Sequence, residues 1–425
     1  MADWRRSFWE NDFTGGPRRD RRSGHYQAYL PDRLSGAPLS TDAAVDRAVA
    51  RAEAAVRALD REGRDLAGIS RFLLRSEAIA SSRIEGIAPS PRQVALAELG
   101  QTEVVRGVSE PARLVANNMT VVREATTRLH EADTVVLADL VALQRALLLD
   151  EPHLHGVRTR QNWIGGSDHH PLDAQFVPPP PELVPELLDD LLGYLAGATH
   201  SPLVQAALVH AQFETIHPFS DGNGRVGRAL IHTVLARRGL TSDAVLPVSL
   251  VLSTLREAYV EGLTAYRYTA PAGSDEAMAA RSAWVGMFAG VAVEAAAQAR
   301  QLAAELREVR ADWVARLTER RSGRRALRSD SATAAILEEL PATPVLTIQT
   351  VERIHAVSRQ AAGRALEELR AAEILQTKTI GPGRTAYVAP DVLELITWAE
   401  RRLASTRFDT RESPPHAGVP APPGQ

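Results

Sequence analysis

Residues 217–228 read HPFSDGNGRVGR, and the rest of the chain is organised around this stretch. It places a histidine, a carboxylate, three glycines and two arginines directly before a helical pattern. Gly222 and Gly224 let the backbone take positive φ and approach a ligand, and their N–H groups stand where a helix begins. Arg225 and Arg228 lie on the first turn of that helix, where cations oppose the helix dipole unless an anion is bound. The stretch therefore predicts a loop that binds an anion such as a nucleotide phosphate chain.

The composition of the chain excludes several classes of protein. The 425 residues carry a formal net charge of −3 and include no cysteine. The chain therefore has no overall basic field for nucleic acid, no disulfides and no thiolate metal sites. No apolar run approaches the roughly 20 residues of a membrane span, and the N-terminus lacks the apolar core of a signal peptide. We expect a soluble cytoplasmic protein of about three domains with no membrane partner.

The stretch 217–228 matches the pattern HxFx(D/E)GNGRxxR at every specified position. This pattern is the signature of the Fic family, and the chain resembles that family. The resemblance implies a mainly α fold, a Fic-fold helical bundle with a small β-hairpin flap. It also implies transfer of AMP from ATP to a Ser, Thr or Tyr hydroxyl of a target protein or of the chain itself. ATP is then the co-substrate and Mg²⁺ the cofactor.

The resemblance gives a role to each functional residue of the signature. His217 is the general base for the target hydroxyl, and an ordinary histidine pKa near 6.5 suits that task. Asp221 holds Mg²⁺ against the phosphates, because a hard cation prefers oxygen ligands. Phe219 is a buried anchor of the loop. The implied phosphate-binding groups are Gly222, Asn223 and Gly224 in an anion hole, Arg225 on the β-phosphate and Arg228 on the γ-phosphate.

A second pattern precedes the signature. The letters SSRIEG end a predicted helix of about residues 75–86, and Ser81, Glu85 and Gly86 match the (S/T)xxxE(G/N) pattern of the inhibitory helix in Fic proteins. There a buried glutamate pairs with the second signature arginine and takes the place of the γ-phosphate. The resemblance therefore predicts that Glu85 inhibits ATP binding at Arg228. Losing a charge-assisted pair of about 1.5–3 kcal/mol would raise productive ATP binding roughly ten- to a hundredfold.

Residues 156–181 interrupt the helical pattern. Two adjacent glycines precede a short apolar run and four prolines, which predicts a small β-hairpin over about residues 160–177. In Fic proteins a flap at this place binds the target backbone as an added strand, and the alternative is a lid that only packs. His169 and His170 form a weak metal pattern and are expected to be solvated. The expected flap residues are Ile164, Gly165, Gly166, Phe176 and Val177.

Helical spacing leaves a competing site open. His210, Glu214 and His217 fall at positions i, i+4 and i+7 of one helical face. With Asp221 as a fourth ligand, they could hold zinc or iron in a metal-dependent hydrolase. Pro218 opposes this alternative, because a residue before proline is pushed out of the α-helical region. A metal site would also leave the glycines and arginines of the signature unexplained.

Residues 331–395 look like a separate module, with three helical patterns followed by a glycine-tipped hairpin. This order resembles a winged helix-turn-helix, which binds DNA through its third helix and its wing. Six basic residues against eight acidic ones give the module a negative charge. DNA, another protein and a second copy of the chain in a homo-oligomer therefore all remain as partners. A regulatory binding module with a nucleotide-sensing Fic core is the alternative function.

These segments predict the domain organisation. The pattern over residues 246–267 predicts one further core helix, in which Tyr259 and Tyr266 are expected to pack rather than to line an adenine pocket. The predicted regions are a mobile arm (1–25), an N-terminal helical region (26–110), the Fic core (111–270), a long helical connector (271–330), a winged-helix-like domain (331–400) and a disordered tail (401–425).

Overall fold

The computed structural model describes residues 2–15, 17–62, 69–242, 245–321 and 327–406. Within these residues the protein is mainly α-helical, as predicted, and it divides into two compact units. The first unit comprises Met1–Val56, Thr120–Thr241 and Leu255–Val293. The second unit comprises Arg57–Met119, Ser242–Thr254 and Glu294–Gln425. The predicted tail lies outside the described residues from position 407 onward.

The described elements are as follows. The helices are α1 (Ala43–Arg61), α2 (Ser70–Ile84), α3 (Pro91–Gly100), α4 (Glu110–Thr126), α5 (Arg128–Glu131), α6 (Leu137–Leu147), α7 (Val184–Ala196), α8 (Pro202–Ile216), α9 (Asn223–Arg237), α10 (Val248–Thr254), α11 (Arg256–Tyr266), α12 (Asp275–Arg320), α13 (Ala332–Glu339), α14 (Ile348–His355), α15 (Arg359–Ala371) and α16 (Pro390–Thr406). The strands are β1 (Asp3–Trp9), β2 (Gly24–Leu30), β3 (Val345–Leu346), β4 (Gln376–Gly381) and β5 (Arg384–Val388).

Helices α8 and α9 form the centre of the first unit. Every residue of α8 from Leu203 to Ile216 is buried, including the polar side chains of Gln205, His210, Gln212, Glu214 and Thr215. The two helices approach closely at Gly227, where an added Cβ would lie 2.5 Å from Oε1 of Glu214. The close approach therefore requires glycine at this position of the signature. Tyr259 is buried nearby with its hydroxyl 2.8 Å from Nε2 of His210, so the predicted packing role is confirmed.

The N-terminal residues differ from the predicted mobile arm. Strands β1 and β2 pair antiparallel with Ser7 opposite Tyr26. Tyr29 anchors the hairpin, because its ring lies in a buried cluster with Ala2 and Phe176 and its N–H donates to Val177 O at 2.9 Å. Aromatic contacts with the flap region hold the N-terminal hairpin in place. A polar, arginine-rich sequence does not reveal such contacts.

The single helix predicted over residues 246–267 is wrong, since the structure breaks it into α10 and α11 at Leu255. Two hydroxyls at the end of α10 bond to carbonyls three residues earlier, Ser253 to Leu250 at 2.9 Å and Thr254 to Val251 at 2.7 Å. Such side-chain bonds compete with the helical main-chain pattern and favour a helix end.

The second unit joins two segments that the sequence places in different domains. Arg75 of α2 is fully buried and bonds to Glu98 of α3 at 2.8 Å and to the carbonyl of Ala342 at 2.8 Å. Glu103 accepts from Thr347 at 2.8 Å and from Thr350 at 2.6 Å. An apolar cluster completes the contact. Its buried members are Ala95, Leu99, Val345, Ile380, Ala386, Val388 and Leu393. Helices α2 and α3 thus pack with the C-terminal elements as one fold.

The C-terminal part of this unit contains the predicted three helices and hairpin, in the order α13, β3, α14, α15, β4 and β5, with sheet order β3-β5-β4. A short turn with Ala356 at φ 51° joins α14 to α15. Helix α16 follows and reaches Thr406, so residues 401–406 of the predicted disordered tail are helical. The winged-helix interpretation of this module stays a prediction.

Helix α12 is continuous over 46 residues and lies within the segment predicted as a helical connector, whose role between domains stays a prediction. Trp284 and Trp313 are fully buried along it, which ties each half of the helix to its own unit. None of the described helices, α12 included, has the length and apolar character needed to cross a membrane.

Candidate active site

His217 ends α8 in a left-handed conformation, with φ 49° and ψ 60°. Its N–H donates to Phe213 O at 2.9 Å, which closes the helix. The prediction that His217 leaves the helical region before Pro218 is confirmed. Its side chain is 18% exposed, and Nδ1 lies 3.9 Å from Oε2 of Glu214. A left-handed non-glycine residue costs about 1–3 kcal/mol, and such strain is typical of functional positions.

Two side chains hold the carbonyl of His217. Nε of Arg158 donates to it at 2.9 Å and Nδ2 of Asn162 at 3.3 Å. Asn162 also donates to Phe219 O at 3.0 Å, and the main-chain N–H of Arg158 donates to Pro218 O at 2.9 Å. The sequence prediction missed both residues. Arg158 lies just before the predicted flap and Asn162 at its start, and the pattern of this segment gave no sign that it braces the signature.

Phe219 is fully buried, so its predicted role as an anchor is confirmed. Its ring packs edge-on against Phe213, with centroids 6.0 Å apart. The side chain of Asn223 exchanges two hydrogen bonds with the main chain of Phe219, both at 2.8 Å. Asn223 therefore offers a ligand only its main-chain N–H, because its amide is committed inside the loop.

The start of α9 has the form of an anion site. Gly222 is the N-cap at φ 88° and ψ 5°, and no side chain caps the helix. An added Cβ at Gly222 would lie 2.9 Å from Leu147, so both the dihedral angle and the space require glycine. The N–H groups of a first helical turn, which here include Gly224, have no partner within their own helix. They can converge on a phosphate.

Charged side chains surround this helix start. Arg225 and Arg228 are almost completely buried. Asp221 is 51% exposed, and its Oδ2 lies 3.4 Å from Nη2 of Arg225. A half-exposed carboxylate beside a phosphate site fits Mg²⁺, which binds one or two carboxylates together with substrate phosphates. Gln144 is buried, and the sequence prediction missed it. Its side-chain amide donates to the carbonyl of Asp221 at 3.3 Å and so holds the main chain of the loop.

The alternative metal site of a hydrolase is wrong. His210 is fully buried and directs Nε2 to the hydroxyl of Tyr259 at 2.8 Å, with the two rings stacked. Burial, reinforced by the positive charge of Arg228, lowers the pKa of His210 to about 3. No three His, Asp or Glu side chains of the described chain are grouped to hold a metal ion. The left-handed turn at His217 removes that residue from the helical face, as proline at the next position predicts.

The flap is less regular than predicted. Ile164 and Phe176 form an isolated bridge in place of a hairpin, with Ile164 N–H to Phe176 O at 2.8 Å. Gly165 and Gly166 have φ of 72° and 79°, and a Cβ on Gly166 would lie 2.5 Å from Asp173 O. The turn therefore needs glycine, and a short 3₁₀ segment, Pro171–Asp173, replaces regular pairing.

One side of the flap is already covered. Phe176 and Val177 are buried, and the guanidinium of Arg267 lies 3.4 Å from the centre of the Phe176 ring. His170 is also buried, with Nε2 at 2.8 Å from Arg19 O, so its predicted solvated position is wrong. His169 stacks on Phe13 at 4.1 Å. The N-terminal hairpin region supplies the contacts of His169 and His170.

The inhibitory pattern lies in the second unit. Ser81 is buried within α2, and Glu85 is the C-cap. Gly86 has φ 80° with open space around a notional Cβ, so its dihedral angle alone explains the glycine of the pattern. Glu85 is exposed, whereas the pattern predicts a buried glutamate. Its position after the last helical turn explains the exposure.

Comparison with known proteins finds similar sequences over the region that contains this geometry. Residues 134–235 match the model of the Fic/DOC family. A probable protein adenylyltransferase of Aquifex aeolicus is 42% identical over 86 residues, which cover 20% of this chain and 27% of that protein. Protein adenylyltransferase fic-1 of Caenorhabditis elegans is 31% identical over 134 residues, covering 30% and 24%. The matches thus span roughly a quarter of the length of these relatives.

A solved Fic family protein from Desulfovibrio desulfuricans G20 is 21% identical, with a TM-score of 0.48 over 80% of this chain and 95% of that chain.

Proposed function

We propose that this chain, a member of the Fic/DOC family through residues 134–235, is an autoinhibited protein adenylyltransferase. It moves AMP from ATP to a Ser, Thr or Tyr hydroxyl of a target protein or of itself. One observation carries the proposal. The start of α9, where no side chain caps the first-turn N–H groups and two arginines are buried, follows directly on a histidine held in a strained conformation.

The reaction follows from this arrangement. His217 takes the proton from the target hydroxyl, and the oxygen attacks the α-phosphorus of ATP. A bond forms between that oxygen and phosphorus, the bond to the bridging oxygen breaks, and pyrophosphate leaves. A positioned general base contributes about 10²–10⁴-fold to the rate.

The remaining groups bind the phosphates. The first-turn N–H groups of α9 and the guanidinium groups of Arg225 and Arg228 neutralise the charge that develops on pyrophosphate. Asp221 would hold Mg²⁺, which would neutralise further phosphate charge. The carboxylate of Asp221 lies 3.4 Å from Arg225, so a cation and an arginine can share one phosphate chain at this place.

The test of transfer uses two labels in parallel. Glu85→Gly protein with Mg²⁺ and α-labelled ATP should gain label, whereas γ-labelled ATP should leave the protein unlabelled, because pyrophosphate carries the γ-phosphate away. Retention of γ-label would indicate a kinase. Absence of both labels, with and without a proteome extract as source of target, would contradict the proposed function.

Autoinhibition is the finer part of the proposal. Support comes from α2, which is buried over most of its length and tied to its unit by Arg75, so that Glu85 at its end has a defined position within that unit. We propose that Glu85 competes with the γ-phosphate for Arg228. Because Glu85 is exposed, we expect its removal to raise label transfer by about tenfold, the lower end of the range for charge-assisted pairs. Equal transfer by wild type and Glu85→Gly would remove the inhibitory role, whereas Glu85→Gln should resemble Glu85→Gly.

A second role is proposed for residues 331–395, namely binding of duplex DNA. Arg359 and Arg364 of α15 and Lys378 of β4 are exposed and form no ion pair with the described residues. The acidic residues of the module are largely engaged elsewhere. Glu367 accepts from Tyr387 at 2.7 Å and Glu368 from Arg321 at 2.8 Å. On the exposed side of α15, Arg359, Arg364 and Arg370 outnumber Glu367, so this side is more basic than the composition indicates, as phosphate contacts require.

Fluorescence anisotropy with a labelled mixed-sequence duplex tests the DNA role. Arg359→Ala/Arg364→Ala should weaken binding. It should also reduce the slope of log K against the logarithm of the salt concentration by about 2, since each lost phosphate contact changes the slope by about 0.9. The control is Arg328→Ala, because Arg328 is already paired with Asp330 at 2.6 Å. Unchanged binding in the double variant, or no binding by the full chain at low salt, would contradict this role and leave a protein partner as the outcome.

A further inference from the structure

Arg158 is a buried arginine that the proposed reaction leaves without a role. It is 4% exposed, and its guanidinium donates only to main-chain carbonyls. The acceptors are His217 at 2.9 Å, Arg160 at 3.3 Å, Pro179 at 2.5 Å and Ile216 at 3.4 Å. No carboxylate of the described chain forms an ion pair with it, and the charge of Glu182 offsets only part of the effect of burial. Burial lowers the pKa of Arg158 to about 10, so the group remains charged at neutral pH.

A buried charge without a counter-ion is costly, so a neutral side chain would normally replace it. What arginine adds is geometry. Its planar fork presents five donors in fixed directions and can span several chain segments, which an ammonium group cannot do. Here the fork joins the end of α8 to the proline segment after the flap through the carbonyls of Ile216, His217 and Pro179.

His217 needs such a brace. It is the only described non-glycine residue of the first unit with positive φ. The side chain of Arg158 holds the carbonyl of His217, and its main-chain N–H holds the carbonyl of Pro218 at 2.9 Å. The two peptide units that follow the histidine are thus fixed by one residue, with Asn162 as a second donor at 3.3 Å. If the backbone relaxed to a negative φ at His217, the imidazole would point in a different direction.

We propose that Arg158 is a positioning residue for the transfer reaction. It holds His217 in the left-handed conformation that aims the imidazole at the target hydroxyl, and it couples this geometry to the flap through Pro179. The inference rests on the proposed function and deepens it. Arg158 acts through the main chain of His217 and not on ATP.

The test compares Arg158→Lys, Arg158→Ala and Arg160→Ala in the Glu85→Gly background. Arg160 is a matched control, because it is exposed and makes only a 3.8 Å ion pair with Asp12. Arg158→Lys should lower kcat about 10- to 100-fold, since small misplacements of a reacting group have effects of that size. The KM for ATP should change by less than about twofold, because uniform substrate binding is retained. Arg160→Ala should behave like its parent.

Chemical rescue separates positioning from folding. Guanidinium chloride at millimolar concentration should restore part of the activity of Arg158→Ala, whereas equal ammonium chloride should not, because only the planar ion reproduces the fork. Rescue by both salts alike, or a raised KM for ATP with kcat unchanged, would overturn the proposal.

If Arg158→Ala does not fold, Arg158→Lys and Asn162→Ala carry the test, and kcat values equal to the parent in both would overturn the proposal. Failure of the proposed function is recognised separately, as a silent Glu85→Gly parent. The crystal structure of Arg158→Lys then decides: a negative φ at His217 supports the positioning role, and retention of positive φ contradicts it.

Discussion

The signature loop 217–228 and the flap 160–177 lie in the same unit and are held in opposite ways. In the loop, side chains from other segments fix the main chain, as Arg158 does at His217 and Gln144 does at Asp221. The flap has one isolated bridge and two left-handed glycines, and its buried side packs under the N-terminal hairpin. Chemistry is therefore expected to depend on the loop, whereas the flap contributes stability and a surface for a target.

The largest effect should come from the loop. His217→Ala in the Glu85→Gly background should lower label transfer at least about 100-fold, the lower limit for a general base. ATP binding measured by calorimetry should persist, because the phosphate groups are unchanged. His130→Ala is the control, since His130 is exposed on α5. If His217→Ala transferred label nearly as fast as its parent, catalysis would not depend on the signature loop as proposed.

In the flap, the expected loss is one of stability. Phe176 is buried beneath Arg267 and beside Tyr29, so Phe176→Ala should lower the free energy of unfolding by about 3–5 kcal/mol in urea titrations. Phe13→Ala is the matched control, because Phe13 is 37% exposed and stacks only on His169. Similar small losses in both variants would show that the flap is not packed as described.

Two glycines allow the stability lost to a steric clash to be compared with the stability lost to an unfavourable φ alone. Gly222 and Gly239 both have positive φ, 88° and 64°, but only Gly222 has a neighbour within reach, Leu147 at 2.9 Å from a notional Cβ. Gly239→Ala should cost about 1 kcal/mol. Gly222→Ala should cost about 1–3 kcal/mol more, because the core must shift. Thermal melting measures the difference, and equal losses would mean that the loop tolerates the added methyl group.

The smallest effect concerns pH. Burial and Arg228 lower the pKa of His210 to about 3, so the folded protein keeps this residue neutral while the unfolded chain binds a proton below its ordinary pKa near 6.5. Unfolding therefore becomes easier as the pH falls from 6.5 toward 3, by about 2 kcal/mol at pH 5 from this group. His210→Gln should reduce the difference between pH 7 and pH 5 by that amount. His153→Gln, at an exposed position, should leave it unchanged.

The sequence predicts the loop better than its surroundings. Pro218 accounts for the departure of His217 from the helix, and the glycines account for the start of α9, because these effects depend on adjacent residues. Arg158 and Gln144 escape prediction because their acceptors are main-chain carbonyls, which no residue pattern encodes. The same limit explains the N-terminal hairpin. Its residues are predicted to be mobile from their polar composition, whereas in the structure Tyr29 packs near Phe176, which is distant in sequence.

Helix boundaries show the same division. The Ser90 capping box and the start of α3 follow from local residues. The break between α10 and α11 depends on weak hydroxyl bonds that a hydrophobic pattern does not register. The grouping of α2 with the C-terminal module depends on Arg75 and Glu103, whose partners lie more than two hundred residues away.

Intact-mass spectrometry of Glu85→Gly, incubated with ATP and Mg²⁺ beside Glu85→Gly/His217→Ala, tests the central claim most directly. The account predicts that Glu85→Gly gains the mass of one or more adenylyl groups and that the double variant gains none. Equal modification of both proteins would contradict the role of His217. A mass gain of a phosphate, or no gain in Glu85→Gly even with target extract present, would contradict the assignment as an adenylyltransferase.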